Sequence, residues 1–146
     1  MSQLTAYRYQ MPITVRFADL DALGHLNNAK YLTYIEQVRI MYVRDVCTWD
    51  GKWHTLGMIL ARTEIDYTLP IGFDDKVTAY ARVSRLGNKS FDMSYILTRQ
   101  REEKAVEIVA EAKTVMVSYD YEQDQTVAIP TLWRERITAY ESDISS

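Results

Sequence analysis

The sequence has one cysteine, two histidines, no long apolar run and no basic tract, and each shortage excludes something. Cys47 has no partner for an internal disulfide, and with only His25 and His54 beside it a dedicated zinc site lacks ligands. No metal is expected. No window approaches the roughly 18 consecutive apolar residues of a membrane span, and the opening "MSQLTAYRYQ" lacks the charged-then-apolar order of a signal peptide. A cytoplasmic protein without membrane attachment is the expectation. The net charge of −3 is mild and the basic residues are dispersed, so the electrostatic footprint of a nucleic-acid binder is missing. With no internal repeat or low-complexity segment, 146 residues of 47% hydrophobic composition suit one domain over 1–146 with a real core.

What is abundant is aromatic. Eleven tyrosines and three tryptophans are many for this length, and rings with one wet end suit interfaces and pockets. Oligomerisation is a natural use for that surface.

The periodicity then divides the chain. Over 7–17, Tyr7, Tyr9, Met11, Ile13, Val15 and Phe17 alternate with Arg8, Gln10, Pro12, Thr14 and Arg16, the pattern of a half-buried strand. Pro12 donates nothing to a ladder, which predicts an edge or a bulge there. From Tyr31 the period lengthens, and Tyr31, Ile35, Val38, Tyr42 and Val46 form one face of a long helix. Residues 47–57, with Trp49, Gly51 and Trp53, read as a loop. Alternating strands follow over 61–69, 76–85 and 89–99, the last two joined across Gly87-Asn88, a pair that reads as a tight hairpin with positive φ. A polar turn at 101–104 leads to a long strand over 105–119, whose Ala110, Ala112 and Thr114 leave room for a bulky neighbour. A short strand over 127–129 and a last helix from Thr131 to about Tyr140, opened by Pro130, complete the order. The fold class is therefore α+β, and one long apolar-striped helix is best buried if an antiparallel sheet curls around it.

The chemistry concentrates in "FADLDALGHLNNAKYLTYIEQ". Asn27 or Asn28 is placed to cap the helix. A helix start also presents unpaired backbone N–H groups and the positive end of the macrodipole, which suit a carbonyl oxygen gaining negative charge. Asp19 and Asp21 would share one face if strand geometry persisted, and Gly24 lets the backbone turn sharply before the helix. An acid held there can activate water or attack an acyl carbon. Taken singly, loop acids serve turns and a lone histidine such as His25 is structural.

The full string is more specific. "RFADLDALGHLNNAKYLTYIEQVR" resembles the signature of the 4-hydroxybenzoyl-CoA thioesterase family of hotdog-fold acyl thioesterases, D-x-D-x-x-G-H-x-N-N-x-x-Y-x-x-x-x-E-x-x-R. Asp19, Asp21, Gly24, His25, Asn27, Asn28, Tyr31, Glu36 and Arg39 meet it. "EIDYTLPIGFDDKV" and "GNKSF" resemble the family's second-strand segment and later hairpin. The resemblance implies a hotdog fold: an antiparallel sheet of five or six strands wrapped around one long helix, with a short C-terminal helix. It implies an acyl-CoA thioesterase, a hydrolase releasing a free acid and coenzyme A, with coenzyme A entering as part of the substrate and no separate cofactor. Asp21 matches the catalytic carboxylate, the Asn28 backbone N–H the donor that polarises the thioester carbonyl, and Gly24 the loop glycine that permits the approach. His25 joins them as a residue that orients Asp21, positions water or holds the loop; in the family's aromatic-acyl branch the positions of His25, Asn27 and Asn28 carry apolar or aromatic side chains. Asn27 and Tyr31 are candidate substrate contacts, and Arg85, Lys89 and Ser90 resemble the region that meets the coenzyme A phosphates. A homodimer or homotetramer is implied, with the partner copy contributing to the pocket.

Three rivals share the fold. One is a noncatalytic acyl-thioester-binding module, against which the intact Asp21 argues, and another is a thioesterase acting on acyl carrier protein. The third is a hydratase, which would need an Asp and His pair further down a helix. No histidine follows His25 in the helical run.

Overall fold

The computed structural model describes residues 2–52 and 56–145, so Trp53 and His54 lie outside the described residues. Strand β1 (Tyr9–Ile13) is followed by helix α1 (Asn28–Cys47), strands β2 (Leu56–Tyr67), β3 (Lys76–Leu86), β4 (Ser90–Gln100), β5 (Glu107–Asp120) and β6 (Gln125–Thr126), and helix α2 (Thr131–Tyr140). The sheet is antiparallel in the order β1-β3-β4-β5-β2, with β6 paired to β5.

The helical stripe read from the sequence is the one that folds inward. Tyr31, Ile35, Val38, Tyr42 and Val46 are all buried, each side chain contributing roughly 1.5–3 kcal/mol on leaving water. Opposite them β3 offers Val77, Ala79, Ala81 and Val83, also buried, and two alanines in the middle of that strand let the helix lie close. The central strand β4 adds Phe91, Met93, Tyr95 and Leu97. Asn27 opens α1, its Oδ1 accepting the Ala29 N–H at 3.0 Å, and Thr48 closes it in the left-handed conformation at φ 58. Helix α2 is pinned beneath by Glu141, whose Oε2 accepts the Tyr42 hydroxyl at 2.6 Å and the Val83 N–H at 3.0 Å.

Four expectations need correction. The first strand ends at Ile13, and Phe17 enters a 3₁₀ turn, Phe17–Asp19, where it is 80% exposed, because Asp19 captures the chain as described below. Strand β2 starts at Leu56, well before 61, and its residues 59–62 are exposed on both faces of the described chain. The turn at Gly87-Asn88 does join antiparallel neighbours, but neither residue has positive φ. The short strand is Gln125–Thr126, inside the 119–126 stretch that reads as a turn, and 127–129 lie outside any strand. Pro12 does lie on an edge strand, opposite Thr78. The other edge, β2, carries a bulge between Leu60 and Arg62, with an Arg62–Glu64 ion pair at 2.8 Å beside it. No helix among the described residues is long and apolar enough to cross a membrane.

Candidate active site

Residues 19–27 form a small hairpin that delivers the chain into α1. Its arms are tied by Asn27 N–H to the Asp19 carbonyl at 2.9 Å, by a bridge between Leu20 and Leu26, and by Asp21 N–H to the His25 carbonyl at 2.8 Å. The tip is a turn closed by Gly24 N–H on the Asp21 carbonyl at 3.1 Å, and Gly24 sits at φ 80, a conformation that glycine adopts without a Cβ penalty.

Asp21 stands at this tip with its side chain exposed. Oδ1 accepts the Leu23 N–H at 2.9 Å and the His25 N–H at 3.3 Å, while Oδ2 makes no hydrogen bond among the described residues. One oxygen is thus fixed by the backbone and the other is open.

The hairpin is held from behind by the segment between β2 and β3. Leu26 N–H donates to the Ile71 carbonyl at 2.8 Å, and His25 bridges Gly72. Gly72 N–H in turn donates to Asp75 Oδ2 at 2.7 Å, and Arg101 Nε to Asp75 Oδ1 at 2.8 Å. His25 therefore holds the loop through its main chain, and its imidazole is exposed.

Asp19 and Asp21 do not share a face. The strand geometry ends before them, and Asp19 is 1% exposed, accepting the Tyr34 hydroxyl at 2.7 Å, the Arg16 N–H at 3.1 Å and Arg16 Nη2 at 3.0 Å. Burial alone would raise the Asp19 pKa, but the Tyr34 and Arg16 hydrogen bonds and the Arg16 charge outweigh it and hold the carboxyl at about 2. Tyr34 is pushed above the ordinary phenol value by burial and then by Asp19. Asp19 is the post on which the hairpin is hung, and Tyr34, unremarked in the sequence apart from its place three residues after Tyr31, is its support.

At the start of α1 the Asn27 side chain is committed to the Ala29 N–H and the Asn27 carbonyl to the Lys30 N–H. The Asn28 N–H, first in the helix, has no intrahelical acceptor. Tyr31 is 3% exposed, a wall and not an open contact; its hydroxyl donates to the Leu69 carbonyl at 3.3 Å and its ring stacks edge-on against Tyr67 at 4.9 Å. Tyr67 donates to the Asn28 carbonyl at 3.3 Å, which ties β2 to the helix start.

Arg85 and Ser90 come together as the sequence suggested, with Arg85 Nη2 donating to Ser90 Oγ at 3.0 Å and Asp92 Oδ1 at 2.9 Å, and with Lys89 exposed beside them. They stand at the far end of β3 from Gly72 and the hairpin. Eleven strand residues, Lys76–Leu86, put roughly 33 Å between the two ends of β3. Gly87 is required in this turn by space: a Cβ there would lie 2.5 Å from Arg85 Nη1 and 2.9 Å from the Ser90 carbonyl oxygen. Gly87→Ala is expected to lower stability by about 1–3 kcal/mol, seen as a fall in denaturation midpoint, with the hairpin amides exchanging faster.

The sequence profile of the thioesterase-like superfamily matches residues 15–137. The chain belongs to that superfamily. Among its thioesterase relatives, the long-chain acyl-CoA thioesterase FadM of Escherichia coli K12 is 28% identical over 138 residues, covering 88% of this chain and 96% of that protein. A thioesterase of Thermus thermophilus, solved with coenzyme A and Zn, is 33% identical with a TM-score of 0.77, covering 92% and 94% of the two chains. A 4-hydroxybenzoyl-CoA thioesterase variant solved with 4-hydroxybenzoyl-CoA shares the fold at a TM-score of 0.81 and 16% identity, over 89% of this chain and 98% of that one. The hotdog architecture expected from the motif is the one this thioesterase-like chain adopts.

Proposed function

We propose that this protein is an acyl-CoA thioesterase in which Asp21 acts as nucleophile or general base and the Asn28 N–H receives the carbonyl oxygen. The observation that carries the reading is the state of Asp21: an exposed carboxylate with Oδ1 fixed by two backbone amides and Oδ2 open, on a hairpin that runs straight into the first turn of α1. The acyl thioester lies across that turn, and negative charge developing on its oxygen is met by the Asn28 N–H and the helix dipole. In one route Oδ2 attacks the carbonyl carbon, the thiolate leaves and takes a proton, and water then cleaves the anhydride. In the other, Oδ2 takes a proton from water as that water attacks. Both yield a free acid and coenzyme A. The names of the Escherichia coli and Thermus thermophilus relatives support coenzyme A as the carrier.

A homo-oligomer is part of this reading, supported by the distance between Asp21 and the Arg85 turn. If Arg85, Lys89 and Ser90 serve the coenzyme A phosphates, a second copy must bring them to the first copy's Asp21. The reading is tested by following thiol release from acyl-CoAs of graded chain length, alongside the same acyl groups on acyl carrier protein. Turnover of acyl-CoA with free coenzyme A as product is expected. Tight acyl-CoA binding with no thiol released would replace this reading with a noncatalytic binding module.

A further inference from the structure

The catalytic reading leaves two residues of the motif unused, Glu36 and Arg39, and their surroundings are unusual. Arg39 is 6% exposed and stands beneath α1 against the sheet. Among the described residues its Nε–H has no hydrogen-bond partner, and its one ion pair is with Glu36 Oε2 at 3.8 Å. The Glu36 side chain is itself 66% exposed. The Tyr95 hydroxyl, which shares a hydrogen bond with Thr114 Oγ1 at 2.7 Å, also takes one from the Arg39 side chain. A guanidinium carries five N–H donors, and burying it with so little to accept them is costly.

Two cavities open at this place, of about 180 Å³ and about 260 Å³, and Glu36, Arg39 and Leu60 line both. Together they follow α1 along β2. The nearer one has a polar wall of Thr33, Thr63 and Thr114, and the farther is walled by Met58 and Met116. Counted along the helix, Glu36 lies about 12 Å and Arg39 about 16 Å beyond Asn28. A medium-length acyl chain leaving a carbonyl at Asn28 and running down this groove brings its far end to the pair.

The pair discriminates among far ends. A hydrocarbon leaves the Arg39 Nε–H unserved. A carboxylate suits Arg39 but meets the Glu36 carboxylate at the same wall. A hydroxyl satisfies both, donating its proton to Glu36 while its oxygen accepts from Arg39. We infer that the groove between α1 and β2 is a specificity site for acyl thioesters bearing a hydroxyl far from the thioester, held between Glu36 and Arg39. The inference rests on the acyl-thioester reading of Asp21 and Asn28 for the direction in which the chain enters.

The test uses dodecanoyl-CoA, ω-hydroxydodecanoyl-CoA, β-hydroxydodecanoyl-CoA and dodecanedioyl-CoA, measured as kcat/KM by thiol release. Equilibrium binding of the matching non-hydrolysable thioethers is measured in parallel. The ω-hydroxy compound is expected to exceed dodecanoyl-CoA by about tenfold or more in either readout, while the β-hydroxy and ω-carboxy compounds gain nothing. In Arg39→Met, with its fold checked by circular dichroism and its mass in solution by light scattering, the ratio should fall to about one. Glu36→Gln, at an exposed side chain, should lower the ratio and relieve the exclusion of dodecanedioyl-CoA. If all four compounds are turned over without an ω-hydroxy preference, the inference fails and the thioesterase reading stands. If none is hydrolysed but the ω-hydroxy thioether binds tightest, the thioesterase reading fails and the specificity site stands. Should Arg39→Met change the oligomer mass and leave the ratio intact, Arg39 belongs to a contact between copies and the inference is overturned.

Discussion

Asp21→Asn is expected to lower kcat for acyl-CoA hydrolysis by about 10²–10⁴-fold. The substitution is chosen because it keeps the shape of the loop. The amide oxygen of asparagine can still accept the Leu23 and His25 N–H groups that now rest on Asp21 Oδ1, so the turn and Gly24 stay where they are. What disappears is the negative charge and basicity of the free oxygen. A variant that melts with the parent, binds acyl-CoA with the parent's affinity and releases thiol at a small fraction of the parent's rate identifies Asp21 as the reagent. Undiminished turnover would move the chemistry elsewhere, even though the superfamily assignment would be untouched.

The second large effect falls on stability. Asp19→Ala strips the acceptor from the Tyr34 hydroxyl, the Arg16 N–H and the Arg16 guanidinium at once, and groups left unpaired at a buried position make a loss of about 3 kcal/mol the expected outcome. It is read as a lower urea midpoint. The same carboxyl gives the parent an acid limb. Its pKa is about 2 in the folded chain against an ordinary value of 3.8, so the folded state holds its proton more weakly than the unfolded one. Its contribution, about 2 kcal/mol, is complete above pH 4 or so and is lost as the pH falls toward 2. Asp19→Ala should flatten that part of the stability profile, and a variant that keeps the parent's slope would show that the limb has another source.

Much of this architecture is legible because burial leaves a period in the sequence. The stripe Tyr31, Ile35, Val38, Tyr42, Val46 and the alternation Val77, Ala79, Ala81, Val83 are read correctly, since each faces one continuous core. Periodicity misleads where polar capture overrides it. Val15 and Phe17 continue an alternating count, but Arg16 bonds to Asp19 and folds the chain into a 3₁₀ turn. Gly87 reads as a residue needing positive φ when it answers to the closeness of Arg85 and Ser90. In the site, the hairpin, its glycine and the start of α1 are legible because they are contiguous. Tyr34 under Asp19, and the Gly72, Asp75 and Arg101 brace behind His25, are not, because each is a partnership across the chain that no local spacing announces.

The edge strand β2 has a consequence of its own. Twelve residues of backbone with no neighbouring strand on one side among the described residues are an invitation to any extended segment, and a flat edge of that length would let copies add without end. The bulge at Leu60 and Arg62 breaks the regular spacing of donors and acceptors, and the Arg62–Glu64 pair sets charge beside it. A strand arriving from another molecule then meets an interrupted and charged edge instead of a regular one. The irregularity stands guard against fibrous stacking.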